Sequence, residues 1–358
     1  MSNKTKATIA VTVLASSVYL SGCGLFGGDK EKVDPPQDVS YLKEGQTVET
    51  SAGKDGKGKA ASSEANEQTQ PTELYLINKD GYVMAQTLQL PKTEGIAKEA
   101  LEYLVANGPV SEMLPNGFRA VLPADTEVLG VDIKDGVAVA DFSKEFSTYQ
   151  AEDEQRILQA VTWTLTQFDS VKRVELRVNG TPLTEMPVNG TPINSNGLSR
   201  ADGINMDTSG VADITNTHPV TVYYLSQNGE GYNYVPVTKR VDNSVKDDVA
   251  AVVNELVNGP GYNSNLVTDF LPDAKLVDAP TIEDGTVTLN FNESILGSLK
   301  EKKVSEYLMN SLVLSLTEQP MIQKVAIEVN GSTELVNEDG KSITEPVSRP
   351  EKVNTGSF

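Results

Sequence analysis

The sequence predicts an α+β fold made of two tandem copies of one domain, each a small mixed or antiparallel sheet carrying two helices on one face. Three observations predict it. First, short motifs recur in one order: Asn107-Gly108-Pro109 returns as Asn258-Gly259-Pro260, Leu122-Pro123 as Leu271-Pro272, and Asp135-Gly136 as Asp284-Gly285. Asp141-Phe142 returns as Asn290-Phe291 and Asn179-Gly180 as Asn330-Gly331, all at offsets of 149 to 151 residues. A period of that size marks a duplicated domain and not a solenoid. Second, apolar runs of period 2 alternate with runs of period 3.6 inside each copy. Third, 358 residues with 38% hydrophobic content suffice for two cores.

In the first copy, Leu74 to Ile77 and Tyr82 to Leu88 have strand character around the turn Lys79-Asp80-Gly81; Val220 to Leu225 and Tyr232 to Val237 repeat it. Ile96, Ala97, Ala100, Leu101, Leu104 and Val105 then fall on one helical face, as do Val245, Val249, Val252, Val253 and Leu256. Ser244 with Asp247 resembles a capping box. Both helices are expected to stop at Asn-Gly-Pro, where Gly closes the helix and Pro cannot extend it. Asp135-Gly136 and Asp284-Gly285 are two-residue hairpin signals between apolar runs. Ile157, Val161, Leu165 and Phe168 make a second helix, matched by Val304, Leu308, Leu312 and Ser315. Val174, Leu176 and Val178, then Val325, Ile327 and Val329, close the copies as alternating strands.

These elements place the copies at 72–185 and 218–336, with a polar linker at 186–217 and a frayed polar tail at 337–358. Within the linker, Val178-Asn179-Gly180-Thr181-Pro182 recurs as Val188-Asn189-Gly190-Thr191-Pro192, which suggests an extra hairpin.

Residues 1–22 have the layout of a secretory signal, with Lys4 and Lys6 ahead of the apolar run Ala7 to Leu20, too short for a membrane span. Leu20-Ser21-Gly22-Cys23 looks like a bacterial lipobox, in which the thiol of Cys23 takes a diacylglycerol. Cys23 is the only cysteine, so an internal disulfide is excluded. Attachment to a membrane through the lipid anchor is expected, because several acyl chains hold a protein stably on a bilayer. Residues 23–71 read as a disordered tether; its Gly-, Lys-, Glu- and Ser-rich part would span about 35 Å as a flexible coil.

Thirty Lys and Arg against 50 Asp and Glu give a formal charge of −20, which opposes nucleic acid as a partner. His218 is the only histidine, which leaves zinc and Cys-His chemistry without ligands, and no phosphate loop is present. Asp135 and Asp284 are accounted for by hairpin geometry, and Glu152-Asp153-Glu154 by solvated capping of a helix. No catalytic residue, metal ligand or cofactor is assigned. Trp163, Tyr223, Tyr224, Tyr232 and Tyr234 are read as core, with a sugar-binding platform as the alternative. Val137, Ala138, Val139 and Ala140 are apolar on both faces of their strand, whereas Thr286, Val287, Thr288 and Leu289 are apolar on one. Val137 and Val139 are therefore candidate partner-facing residues.

The lipobox, the tether and the paired Asn-Gly-Pro, Leu-Pro, Asp-Gly and Val-x-Leu/Ile-x-Val-Asn-Gly motifs resemble the GerM family of sporulation and germination lipoproteins from Bacillus-type endospore formers, which carry two GerMN domains. The resemblance covers residues 72 to 336 and the signal. It implies a ring-building-motif-like fold without catalytic residues, in a structural or assembly factor of the envelope complex between mother cell and forespore. It also implies protein subunits of the connecting channel as partners, and allows a homo- or hetero-oligomeric ring. The competing reading is an extracytoplasmic ligand-binding module for cell-wall glycan or peptide.

Overall fold

The computed structural model describes residues 69–209, 214–229 and 231–355. The signal, Leu20, Ser21, Gly22, Cys23 and all but the last three residues of the expected tether lie outside the described residues. Those three already belong to the first strand.

Each copy has the order strand, strand, helix, strand, strand, helix, strand. In the first these are β1 (Thr69–Asn78), β2 (Val83–Pro91), α1 (Ile96–Glu102), β3 (Val128–Lys134), β4 (Val137–Phe142), α2 (Glu154–Leu165) and β5 (Arg173–Val178). In the second they are β6 (Thr217–Asn228), β7 (Gly231–Asp242), α3 (Asp248–Asn258), β8 (Thr281–Glu283), β9 (Thr286–Phe291), α4 (Glu306–Leu316) and β10 (Lys324–Val329). The mixed sheet is the run β3-β4-β5, antiparallel then parallel, and β8-β9-β10 repeats it. The parallel pairing requires a crossover, which α2 and α4 supply.

Asp135 and Gly136 both adopt positive φ, at 50° and 82°, as do Asp284 and Gly285 at 47° and 75°. That is the turn geometry whose twist matches the flanking strands, so the Asp-Gly pairs act as the hairpin turns expected of them.

The front hairpins β1–β2 and β6–β7 are separate from these sheets. Residues 74–78 of β1 and 222–226 of β6 are buried without alternation, because helices cover one face and further structure the other. Helix α2 touches β5 as well as β1 and β2, so it is buried nearly all round, through Ile157, Val161, Trp163 and Leu165. Hydroxyls on the helices satisfy the hairpin edges in the same way in both copies. The Tyr75 N–H donates to Thr164 Oγ1 (3.1 Å), and the Tyr223 N–H donates to Ser315 Oγ (2.8 Å).

The helix boundaries differ from expectation in both copies; Val304, read as part of the last helix, pairs instead with Leu296, and α4 begins at Glu306. Asp247, and not Ser244, caps α3: its carboxylate accepts from the N–H groups of Val249 and Ala250 at 3.0 and 3.1 Å. Gly259 ends α3 with φ +78°, as the Asn-Gly-Pro signal requires. In the first copy α1 stops at Glu102, and Asn107 instead of Gly108 takes the left-handed conformation (φ +61°). The Leu104 carbonyl accepts from the N–H groups of Val121 and Leu122 and the Ala106 N–H donates to the Leu122 carbonyl, so these groups do not continue the helix.

The segments after each copy are the largest departure. The described residues 186–209 of the stretch read as a linker and 337–355 of the tail read as frayed are equivalent ordered arms. Each first lines the edge of its own sheet, Leu198 against Val174 and Val347 against Val325, then crosses to the hairpin of the other copy. Ile204 exchanges bonds with Thr238, and Val353 does the same with Thr87. Next to them sit Asn205 and Asn354, both left-handed, at φ 44° and 54°. Asn205 accepts from the Val83 N–H (2.9 Å) and donates to the carbonyls of Val83 (2.6 Å) and Pro236 (2.7 Å). Asn354 accepts from the Tyr234 N–H (2.7 Å) and donates to the carbonyls of Tyr234 (2.8 Å) and Ala85 (2.9 Å). Val83 and Tyr234 hold equivalent places in their hairpins, as do Ala85 and Pro236. The two asparagines are thus related by a pseudo-twofold axis, and each stitches β2 to β7.

The expected extra hairpin at 178–192 is present in irregular form, with Glu185 opposite Pro192 and the Met186 N–H donating to the Thr191 carbonyl.

Each asparagine serves buried backbone groups on both strands, so Asn205→Ala and Asn354→Ala should each lower stability by about 2–3 kcal/mol in denaturant titration. Removing residues 345–358 should speed hydrogen exchange of the β2 amides in the first copy more than that of β10 in the second.

Candidate functional site

On the pseudo-twofold axis the arms bring two arginines to one acid. Arg200 Nη1 lies 2.8 Å from Glu318 Oε2, and Arg349 Nη1 lies 3.1 Å from Glu318 Oε1. The Tyr223 hydroxyl donates to the same carboxylate (2.7 Å) and accepts from Arg349 (3.2 Å). Arg200 also stacks on Trp163, 4.4 Å from the ring centroid. Burial acting alone would raise the Glu318 carboxyl; the two guanidinium groups overcome it and hold Glu318 below the usual carboxylate range. Burial and the Glu318 charge push the Tyr223 hydroxyl up, so it stays a neutral donor. Two cations and one anion leave a residual positive charge at the junction. Of these residues the sequence singled out Trp163 and Tyr223 only, as core; Arg200, Glu318 and Arg349 did not stand out, although Ser199-Arg200 and Ser348-Arg349 repeat at the period of the other motifs.

Trp163, Tyr223 and Tyr224 are fully or almost fully buried, while Tyr232 is 40% exposed and stands 5.4 Å from Tyr307. The core reading holds for the first three. His218 lies in β6, with Nδ1 3.1 Å from Asn243 Oδ1 and Nε2 3.2 Å from Asp248. Among the described residues no group of His, Cys, Asp and Glu side chains is gathered as a metal cage would require, and no helix is long and apolar enough to cross a membrane.

Val137 and Val139 point from β4 to the face of the sheet away from the core, half-buried and outside both hydrophobic clusters. The register sets Val137 between Lys134 and Arg173, and Val139 between Asp132 and Glu175. On β9 the same places hold Thr286, between Glu283 and Lys324, and Thr288, between Thr281 and Ala326. The outer face of the first copy therefore presents two aliphatic side chains, one flanked by two cations and the other by two anions, and that of the second presents hydroxyls.

Glu154 differs from expectation. Expected to be solvated, it is 1% exposed and accepts from Tyr149 OH (2.7 Å), the Asn189 N–H (2.8 Å) and the Thr191 N–H (2.9 Å). It fastens the start of the first arm to α2. Burial would raise its carboxyl, but the hydrogen bonds from Thr191, Asn189 and Tyr149 prevail and hold it down at about 2. A depressed carboxyl adds stability that is complete above the ordinary carboxylate pKa and is lost as the pH falls toward 2. Glu154→Gln should therefore lower stability by about 2–3 kcal/mol at pH 7, and the gap from wild type should close in melts taken between pH 5 and pH 2.

Comparison with known proteins agrees with the duplicated architecture. The Germane family, described as sporulation and spore germination, matches residues 73–184 and 221–335. The chain is 58% identical to the spore germination protein GerM of Bacillus subtilis (strain 168) over the whole of both chains. It is similar in structure to the tandem GerMN domains of the sporulation protein GerM from Bacillus subtilis, with a TM-score of 0.77 and 62% identity over 81% of this chain and 100% of that one. A full-length relative, a matching tandem structure and two family matches that coincide with the two copies lead to one conclusion: the chain belongs to the Germane family of sporulation and spore germination proteins.

Proposed function

We propose that this protein is a non-catalytic, lipid-anchored assembly factor of the sporulation envelope, acting on the extracytoplasmic face of the cell membrane between mother cell and forespore. One observation carries the reading: the strongest polar chemistry of the fold is spent inside it. Glu318, Arg200 and Arg349 engage one another at the junction, and Asn205 and Asn354 are consumed by backbone groups. The outer sheet faces, by contrast, are open and differ between the copies. Surfaces of that kind suit docking to other protein subunits, such as those of a channel complex, in a homo- or hetero-oligomeric ring. Lipidation of Cys23 would tether the pair of domains to the bilayer. The alternative glycan platform on the tyrosine-rich strand is disfavoured, because Tyr223 and Tyr224 are buried.

Cys23→Ser should move the protein from the detergent phase to the aqueous phase in a phase-partition assay of sporulating cells. Val137→Glu with Val139→Glu should leave the melting temperature within a few degrees of wild type and abolish recovery of envelope proteins by cross-linking. Normal sporulation in a strain lacking the gene would overturn the assembly role.

A further inference from the structure

The outer face of the β3-β4-β5 sheet carries an ordered charge pattern. Residues opposite one another on neighbouring strands share a face, so the register sorts this face into rows that run across the strands. One row is Lys134, Val137 and Arg173, and the next is Asp132, Val139 and Glu175. A band of two cations thus lies beside a band of two anions, each with a valine at its centre. Lys134, Asp132 and Arg173 are exposed, and Glu175 is half-buried. Among the described residues none of these four charges takes part in an ion pair. Arg173 Nη1 donates to the Asn196 carbonyl at 2.9 Å, at the rim of the sheet.

The fold does not demand these charges. In the second copy the same rows read Glu283, Thr286, Lys324 and Thr281, Thr288, Ala326, and the sheet is built alike. Bands of opposite sign that find no ion pair inside the chain match a surface carrying the same bands in reverse, and the same face of a second molecule is such a surface. Two sheets packed face to face about a twofold axis lie about 10 Å apart with their strands nearly aligned. The axis can run along the strands or across them. Along them, Lys134 would face Arg173 and Asp132 would face Glu175 of the second molecule, so every charged contact would join like charges. Across them, between the two rows, Lys134 faces Asp132, Arg173 faces Glu175 and Val137 faces Val139, each of these twice. The charge pattern selects the second arrangement. Beyond the rows, Asp141 and Arg177 come over the turn end that carries Asp135 and Lys172, one acid and one base on either side.

We propose that a second molecule of this protein docks on this face, through an antiparallel twofold pairing of the two β3-β4-β5 sheets. The proposal rests on the reading of the face as a docking surface, and it names the subunit that docks there. Strand spacing and rise give three short strands roughly 300 Å² on each side, less than half of what each partner buries in a stable complex. The pairing is therefore weak in dilute solution and depends on molecules concentrated on one membrane.

Cys23 is the only cysteine, so full-length Val137→Cys protein carries one added thiol, and wild type controls for Cys23. In membranes of cells producing the full-length protein, a short bismaleimide should join Val137→Cys chains into dimers, about threefold or more below the low-salt yield once salt reaches about 1 M. Adding Asp132→Lys with Glu175→Lys makes both rows cationic, and adding Lys134→Glu with Arg173→Glu makes both anionic; each should cut the dimer about tenfold. Produced together under different tags, the two charge variants should form mixed dimers near the Val137→Cys level, which unfolded chains could not do. Dimers undiminished in either charge variant alone, mixed dimers absent although both variants melt like Val137→Cys protein, or a yield indifferent to salt would each overturn the proposal. An absence of Val137→Cys dimers, with envelope proteins still cross-linked to wild type and lost from Val137→Glu with Val139→Glu, would overturn it and leave the docking surface standing.

Discussion

The fold depends on how the inner edges of two hairpins are closed. A strand edge presents N–H and C=O groups that must find partners once buried. Here β2 and β7 come together at the centre of the molecule, where water cannot serve them. Asn205 and Asn354 solve the problem by inserting a side-chain amide between the strands, each accepting from one N–H and donating to two carbonyls. Asparagine suits the task twice over, since its amide mimics a peptide group and its backbone tolerates the left-handed region both positions adopt. Everything attached to the hairpins, including the helices that donate Thr164 and Ser315 to them, is fixed through this seam.

The ionic cluster belongs to the same junction but does not share its symmetry. Arg200 and Arg349 are equivalent residues, whereas Glu318 is matched by Gln167 in the first copy. Gln167 bonds to the backbone of Glu73 and takes no arginine. One acid therefore serves two cations, with Tyr223 as a third donor, and the charge imbalance is softened by stacking on Trp163 and Tyr223. Buried ion pairs of this sort are better evidence for a defined arrangement of parts than for net stability. Their effect here is to distinguish the two otherwise similar halves.

Much of the architecture was legible because it rests on local chemistry. Asp135-Gly136 and Asp284-Gly285 had to be hairpin turns, and the helical faces around Ile157 and Leu308 were set by spacing alone. The arms were not legible as structure, since 186–217 and 337–355 are polar and short on periodicity. Their order comes from partners far away in the chain: Thr87 for Val353, Thr238 for Ile204. A signal existed in the repeats Ser-Arg and Ile-Asn or Val-Asn at the domain period, but their meaning needs the partner strands in view. Glu154 was misjudged for a similar reason. A helix-start acid is normally solvated, and only the return of residues 188–191 buries it. Alternation alone sufficed to put Val137 and Val139 on the same face of their strand, and that face is the outer one.

The crossing of the arms has a consequence for how the molecule comes into being. The contact between Thr87 and Val353 spans 266 positions, so the first half finished by the ribosome is the last to be completed in space. Until the final residues emerge, β2 keeps a bare margin able to pair with any extended chain nearby. A chain cut short of Val353 would therefore show its defect at β2, in the opposite half of the sequence.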